Sequence, residues 1–122
     1  MKQMLQIALI TDQQSKEAQI SEKSLQLIKQ SLETLGHQWT HITRPSMRDE
    51  FLHSYENYDL AIPIIHGGIG EGGQIFALLE VLDIPYLFSD HTAHTLCFNK
   101  QRANVVVGEI GIQIPKSHYL SP

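Results

Sequence analysis

The glycine-rich segment His66–Gly73 constrains the fold of this chain more than any other feature, because five of its eight residues are glycine. It follows an apolar run over 60–65 and precedes a helical pattern of apolar residues over 74–82. Glycine lets the backbone turn sharply, and the start of a helix offers unpaired N–H groups to an anion. The order strand, glycine loop and helix therefore predicts an α/β domain with a carboxylate or phosphate site beyond the strand.

Strand and helix patterns alternate in the first half of the chain. Residues 5–10 predict a buried strand, and 38–43 predict a second strand because aromatic and β-branched residues are frequent there. Between them, apolar residues at three- and four-residue spacing predict a helix that ends at Gly36, with Ser15 or Ser21 as its cap. Such alternation is typical of a Rossmann-like open, mostly parallel sheet with helices on both faces.

Shorter patterns predict the remaining elements. They are a helix over 47–55, an edge or terminal strand over 83–87, helices over 90–97 and 101–109, and a strand or linker over 112–122. Pro63 removes one ladder donor and argues against a central place for the strand over 60–65. The tail has no natural end, so we expect a chain that is cut between two domains.

Length, charge and cysteine content exclude several kinds of partner. The 122 residues leave room for one domain, and a net charge of −4 with nine dispersed basic residues gives no basic stripe. Cys97 is the only cysteine, and no apolar run suits a signal peptide or membrane helix. We expect a cytoplasmic protein that binds neither nucleic acid nor membrane. We also expect no metal site, because His91 and His94 lack a third ligand.

One interpretation of the glycine-rich segment is a dinucleotide site. The residues 68–73 satisfy G-x-G-x-x-G, and Asp90 lies at about the distance expected for a ribose-binding acid. Two observations weaken this interpretation. The Glu71 carboxylate would repel a pyrophosphate, and the motif follows the third predicted strand, whereas the fingerprint normally follows the first.

A longer series of motifs is more specific. The chain carries, in order, Ile64-Ile65-His66-Gly67, Gly70-Glu71, Gly73, Leu79-Glu80, Ile84-Pro85-Tyr86, Asn99-Lys100 and Gly111-Ile112-Gln113-Ile114-Pro115. This series resembles the N-terminal pre-ATP-grasp domain of the D-alanine–D-alanine ligases, where the order is His-Gly, Gly-Glu-Asp-Gly, Leu-Glu, a Pro-Tyr strand, Asp-Lys and Gly-Ile-Pro. The resemblance includes the first strand and Ser15–Ser21, which is similar to the family's Ser-x-Glu-x-Glu-Val-Ser.

The resemblance implies an ATP-grasp ligase of peptidoglycan synthesis in the cell wall pathway. ATP phosphorylates the carboxylate of one D-alanine, and the amine of a second attacks the acyl phosphate. Residues 1–122 would form a single N-terminal lobe, inactive alone, with the ATP-binding and C-terminal lobes absent. The expected partners are a D-amino acid and the remaining lobes of the same polypeptide. A homodimer with a second copy of the chain is a possible further partnership. ATP and Mg²⁺ are expected as cofactors of the full-length protein. No cofactor is expected to bind within this chain alone.

The resemblance also assigns roles to individual residues. The family's ammonium-binding glutamate corresponds to Gln19, the substrate-site loop to His66, Gly67 and Glu71, and the lysine that contacts nucleotide phosphate to Lys100. No catalytic residue is assigned. The chain departs from the family pattern at six positions, which are Asp12, Gln13, Gln19, Gly72, His94 and Asn99.

Several alternatives stay open. His66 and Glu71 could serve only to cap backbone groups and a helix dipole, while Gln19 and Lys100 could be solvated surface residues. The replacements at Gln19 and Gly72 favour a second function class, a small-molecule or nucleotide-binding module that has lost catalysis. A structural or dimerisation lobe is the third.

Overall fold

A three-stranded parallel sheet forms the centre of the fold. The computed structural model describes residues 3–118 and 120, and its strands are β1 (Gln6–Thr11), β2 (Gln38–Thr43) and β3 (Leu60–Pro63). They lie in the order β2-β1-β3, with Ile7 of the central strand opposite Trp39 and Leu60. The predicted open parallel sheet is confirmed.

Helices cover both faces of this sheet. The main helices are α1 (Ala18–Leu35), α4 (Gly68–Glu71), α5 (Gln74–Val81), α6 (His91–Phe98) and α7 (Lys100–Glu109). Between β2 and β3, a helical stretch joins α2 (Arg44–Ser46), a π-helix (Met47–Phe51), α3 (Leu52–Ser54) and a 3-10 helix (Tyr55–Asn57). The stretch begins earlier than predicted because Thr43 and Ser46 form a capping box, with the Thr43 N–H donating to Ser46 Oγ at 3.1 Å.

Alternate residues of β1 point into two separate cores, as a strand covered on both sides requires. On one face, Ile7 and Leu9 pack with α1; on the other, Ala8 and Ile10 pack with the helical stretch and α5. The first core contains Ile7, Leu9, Leu25, Leu32, Ile62 and Ile64. The second contains Ala8, Ile10, Ile42, Met47, Phe51, Ala61, Ile65, Ile75, Phe76, Leu79 and Ile84.

The end of α1 agrees with the prediction, but its start does not. Gly36 has φ of 80°, and the N–H groups of Gly36 and His37 donate to the carbonyls of the last turn. The prediction that Ser15 or Ser21 caps the helix is wrong, because Glu17 occupies the cap position and makes no side-chain capping bond. Ser21 instead lies buried within the first turn.

The predicted strand over 83–87 is reduced to a single bridge between Tyr86 and Ala61 at the outer edge of β3. The Pro85 carbonyl accepts from the Ala61 N–H at 2.8 Å, while the left-handed φ angles of Asp83 (59°) and Phe88 (88°) prevent a longer extended segment. β3 itself pairs with only one named strand, which agrees with the non-central place predicted from Pro63.

Side-chain caps start both C-terminal helices, which begin within one residue of their predicted starts. Asp90 accepts a hydrogen bond from the Ala93 N–H at 2.8 Å, and Asn99 accepts one from the Arg102 N–H at 3.1 Å. The tail over 112–118 and at 120 is irregular, so its prediction as a strand is wrong there; residues 119, 121 and 122 lie outside the described residues. None of the helices within 3–118 has the length and apolar character needed to cross a membrane.

Candidate functional site

The glycine-rich segment forms the short helix α4 between two left-handed turns. Gly67 has φ of 73° immediately before α4, and Gly73 has φ of 93° immediately before α5. A Cβ at Gly73 would lie 2.6 Å from Thr95 Oγ1 and 2.7 Å from the His91 carbonyl oxygen. Glycine at position 73 therefore permits both the left-handed turn and the close approach of α6 to the loop.

His66 connects this loop to α1. It lies three residues after the end of β3, is half-buried, and has its Nδ1 atom 3.0 Å from Ser21 Oγ. Ser21 lies in the first turn of α1 and is buried, so this contact fixes one side of the imidazole ring. The Nε2 atom stays available for other partners.

One cavity beside His66 is lined mainly by polar and charged residues and has a volume of about 400 Å³. We call it the polar cavity; it is lined by Asp12, Gln14, Ser15, Lys16, Glu17, Arg44, His66, Gly67, Gly68 and Ile69. The Glu17 carboxylate comes so close to the loop that a Cβ at Gly67 would lie 2.6 Å from its Oε2. The cavity thus holds a carboxylate directly opposite the first turn of the glycine-rich segment.

Asp12 is buried at the base of the polar cavity, where its charge is compensated. Its Oδ2 is 3.2 Å from the Arg44 guanidinium, and its Oδ1 accepts from the Gln14 N–H at 2.9 Å. Both carboxylate oxygens of Asp12 are thus already paired with groups of this chain.

A second cavity beside His66 has a mainly apolar lining and a volume of about 340 Å³. We call it the apolar cavity; it is lined by Ser24, Ile28, Pro63, Ile64, Ile65, His66, Gly70, Glu71, Phe76, Phe88 and His94. Since His66 lines both cavities, its imidazole stands at the border between a charged and an apolar compartment.

The sequence of this chain is similar to those of curated D-alanine–D-alanine ligases. It is 30% identical over 114 residues to the D-alanine–D-alanine ligase of Fusobacterium nucleatum, covering 93% of this chain and 40% of that protein. It is 33% identical over 118 residues to the same enzyme of Wolbachia sp. subsp. Brugia malayi, covering 97% and 34%. No protein-family model matches the sequence.

A solved structure extends the similarity to three dimensions. The D-alanine–D-alanine ligase of Bacillus anthracis complexed with ATP aligns with a TM-score of 0.81 and 26% identity, over 92% of this chain and 38% of that one. The chain is homologous to the D-alanine–D-alanine ligases. It spans 40% or less of the two curated ligases named above, so the homology identifies a ligase-related N-terminal region with the pre-ATP-grasp fold.

The structure brings together only some of the site residues predicted from the ligase motifs. His66, Gly67 and Glu71 meet at the loop, where Glu71 Oε2 accepts from the Gly67 N–H at 3.0 Å. Gln19 is exposed on α1 and lines neither cavity, and Lys100 lines a separate cavity of about 200 Å³ near the start of α7. The binding roles of all five residues stay predictions.

Glu17 lines the polar cavity, although the sequence analysis did not predict it as a site residue. It occupies the first glutamate position of the ligase pattern Ser-x-Glu-x-Glu in the segment Ser15–Ser21, whereas the resemblance gives the ammonium-binding role to the second position, Gln19. In a helix these two positions point in different directions, and the first one lies at the cap, facing the loop. The sequence did not predict that α1 begins at Ala18, and this start is what places Glu17 at the cap position.

Gly72 stands where the ligase pattern has aspartate. A Cβ at this position would lie 2.7 Å from the Gly68 carbonyl oxygen and 2.6 Å from Gln74 Oε1. The loop in this ligase-related chain is therefore closed too tightly around Gly72 for a side chain, and the glycine is required by the packing of α4.

An exposed hydrogen-bond network joins α5 to α6 on the side of the loop. Hydrogen bonds from the Tyr86 hydroxyl at 2.6 Å and from the His91 N–H at 3.0 Å lower the pKa of Glu80 to about 2. The same carboxylate raises the pKa of Tyr86 to about 12, because ionised tyrosine would lose its donor. This network ties the two helices together outside both cavities.

Buried polar groups elsewhere are structural. Thr11 Oγ1 and His41 Nε2 are 2.8 Å apart between β1 and β2, and burial, followed by the charge of Lys29, lowers the pKa of His41. Within residues 3–118 and 120, no three His, Cys, Asp or Glu side chains gather in a way that could hold a metal ion.

Proposed function

We propose that this region forms part of the amino-acid site of an ATP-dependent carboxylate–amine ligase that joins D-amino acids for peptidoglycan. The supporting observation is the polar cavity, a space of about 400 Å³ that His66 lines together with the Glu17 carboxylate, which lies against Gly67. The cavity lies beyond the carboxyl end of β3, the usual place for ligands in an open α/β sheet.

The chemistry of the polar cavity suits an amino acid with its ammonium group towards Glu17. A charge-assisted hydrogen bond of this kind contributes about 1.5–3 kcal/mol. Glu17 thereby becomes a second candidate for the role that the resemblance gives to Gln19, while His66, with Nδ1 held by Ser21, would direct Nε2 at the ligand. Asp12 does not compete for the ammonium group, because Arg44 and the Gln14 N–H occupy its oxygens.

ATP, when bound, would supply the phosphoryl group that activates the first carboxylate. In this region Lys100, exposed at the start of α7, is our candidate for a phosphate contact. We assign no Mg²⁺ ligand among the described residues. We further propose that the region alone does not catalyse ligation and that the whole enzyme acts in the cytoplasm, where ATP is present.

The test is an assay of the whole encoded protein that contains this chain. Phosphate release from ATP should depend on added D-alanine, and Glu17→Gln should raise KM for D-alanine about tenfold or more because a charged partner is lost. Gln19→Ala is the matched variant two residues away, and it should change KM less if Glu17 holds the ammonium group. Tight amino-acid binding without phosphate release would instead support a binding module that has lost catalysis.

A further inference from the structure

The apolar cavity is much larger than the methyl group of alanine. Its volume is about 340 Å³, whereas one water molecule, similar in size to a methyl group, occupies about 30 Å³. We infer that this cavity receives an apolar amino-acid side chain bulkier than methyl, with an aromatic ring as the best fit. The inference rests on the proposed function, because the polar cavity must hold the ammonium group of the same molecule.

The border at His66 makes this arrangement possible. His66 lines both cavities, so they adjoin at its imidazole, and the inferred ligand would occupy both. The first compartment is lined by charged groups such as Glu17 and Lys16, and the second mainly by aliphatic and aromatic side chains. A ligand with a charged head and an apolar side chain matches both compartments.

Aromatic rings form one wall of the apolar cavity. His94 stacks on Phe76 with ring centroids 4.0 Å apart and an interplanar angle of 12°. Phe88 meets Phe76 edge-on, at 6.4 Å and 81°. The edge-on arrangement is a favourable geometry for ring pairs, and a ligand ring beside Phe76 and Phe88 can adopt it too.

Phe88 combines a left-handed backbone conformation with an exposed ring. Its φ of 88° lies in the left-handed region, which is unfavourable for a bulky residue, and its side chain is 64% exposed. Burial of the ring therefore offsets little of the strain. Strained residues of this kind are concentrated at ligand sites, and a ring bound in the cavity would cover Phe88.

His94 contributes to this wall as a ring. Its Nε2 atom is buried and has no hydrogen-bond partner among the described residues. The ligase pattern has serine at this position, which could not stack on Phe76. The imidazole thus extends the aromatic wall, and the Glu71 side chain, which also lines the cavity, is already bonded to the Gly67 N–H.

The decisive measurement is the affinity of the whole encoded protein for D-phenylalanine relative to D-alanine, determined by calorimetric titration. The wild-type protein should bind D-phenylalanine at least about tenfold more tightly, because a ring removes more apolar surface from water than a methyl group. Phe88→Gly should lower this ratio about tenfold, since glycine accepts the backbone angle but removes the wall. His94→Ser should lower it in the same direction.

Phe98→Ala is the matched control, because it removes a ring of similar exposure, 52%, that does not line the apolar cavity. Its affinity ratio should equal that of the wild type. The inference is overturned if D-alanine binds as tightly as D-phenylalanine, or if Phe88→Gly and Phe98→Ala shift the ratio equally.

The outcome for the proposed function is read separately, from phosphate release. If D-alanine drives phosphate release while D-phenylalanine neither binds nor reacts, the inference is wrong and the ligase function stands. If D-phenylalanine binds with the expected dependence on Phe88 and no amino acid drives phosphate release, the cavity assignment stands and the ligase function is wrong.

Discussion

The sheet region, residues 6–84, and the helical pair α6–α7, residues 91–109, are stabilised by different means. All of the buried hydrophobic residues in the described part of the chain lie between Ile7 and Ile84, while α6 and α7 bury none. The pair instead exposes apolar side chains, among them Phe98, Val105 and Val106. Hydrophobic burial holds the sheet region, whereas caps and a few polar contacts hold the pair.

The boundary between these two regions passes through the candidate site. His66 and Phe76 belong to the sheet region, and His94, which stacks on Phe76, belongs to the pair. Thr95 Oγ1 also donates to the Gly72 carbonyl at 3.1 Å across this boundary. The apolar cavity therefore depends on how firmly α6 is attached, and that attachment can be weakened without disturbing the sheet.

The largest expected effect is a core substitution in the sheet region. Phe51→Ala removes a ring that is completely buried, and should lower the free energy of unfolding by about 3–5 kcal/mol. The corresponding truncation in the pair, Val106→Ala, should change it by less than about 0.5 kcal/mol. Urea denaturation measures both; similar losses would show that α7 has a core of its own.

Gly73→Ala tests the boundary itself. The substitution combines a left-handed φ of 93° with a Cβ placed 2.7 Å from the His91 carbonyl oxygen, and should reduce stability by about 2–3 kcal/mol. Gly111→Ala is the matched control, because its φ is 83° and its Cβ would meet nothing within 4 Å. Its loss should be only about 1 kcal/mol, so an equal loss would contradict a packing role for Gly73.

Asp90→Ala tests the caps that hold the pair. Loss of the hydrogen bond to the Ala93 N–H should destabilise α6 by about 1 kcal/mol. Amide hydrogen exchange should accelerate in α6 and stay unchanged in β1, because α6 can open without global unfolding. Equal acceleration in β1 would mean that the two regions unfold as one unit.

Asp83→Gly should stabilise the protein by about 0.5–1 kcal/mol. Asp83 has φ of 59° just after α5, and the Ile84 N–H donates to the Leu79 carbonyl as in the corresponding turn after α1. That turn already has Gly36, with φ of 80°. Thermal unfolding measures the gain, and a lower melting temperature would mean that the Asp83 side chain has a role of its own.

The smallest effect concerns pH and the exposed network around Glu80. Because the Tyr86 hydroxyl and then the His91 N–H lower the pKa of Glu80 from 4.5 to about 2, its stabilising contribution is present above pH 4.5 and lost towards pH 2. The pKa of Tyr86 is raised from 10 to about 12, so that contribution is present below pH 10 and lost towards pH 12. Glu80→Gln should make the free energy of unfolding depend less on pH in both the acidic and the alkaline range. Glu56→Gln, at an exposed glutamate outside the network, should change neither dependence.

Local patterns predicted the backbone of this molecule better than its contacts. β2 and the end of α1 at Gly36 agree with the sequence because propensity and the turn glycine act over a few residues. The helix α4 inside the glycine-rich segment was missed, since five glycines suggest a loop and the turns at Gly67 and Gly73 are set by neighbouring elements. Long-range contacts such as that of Ser21 with His66 have no local signal at all.

That contact has a consequence for hydrogen-bond polarity. If Ser21 Oγ donates to Nδ1, the proton of the neutral ring is on Nε2, and the ring offers a ligand a donor. If Nδ1 donates to Oγ, Nε2 offers an acceptor instead. The direction of the hydrogen bond to Ser21, 45 residues earlier in the chain, is thus linked to the tautomer of His66, and the tautomer decides whether a bound molecule must accept or donate a hydrogen bond at Nε2.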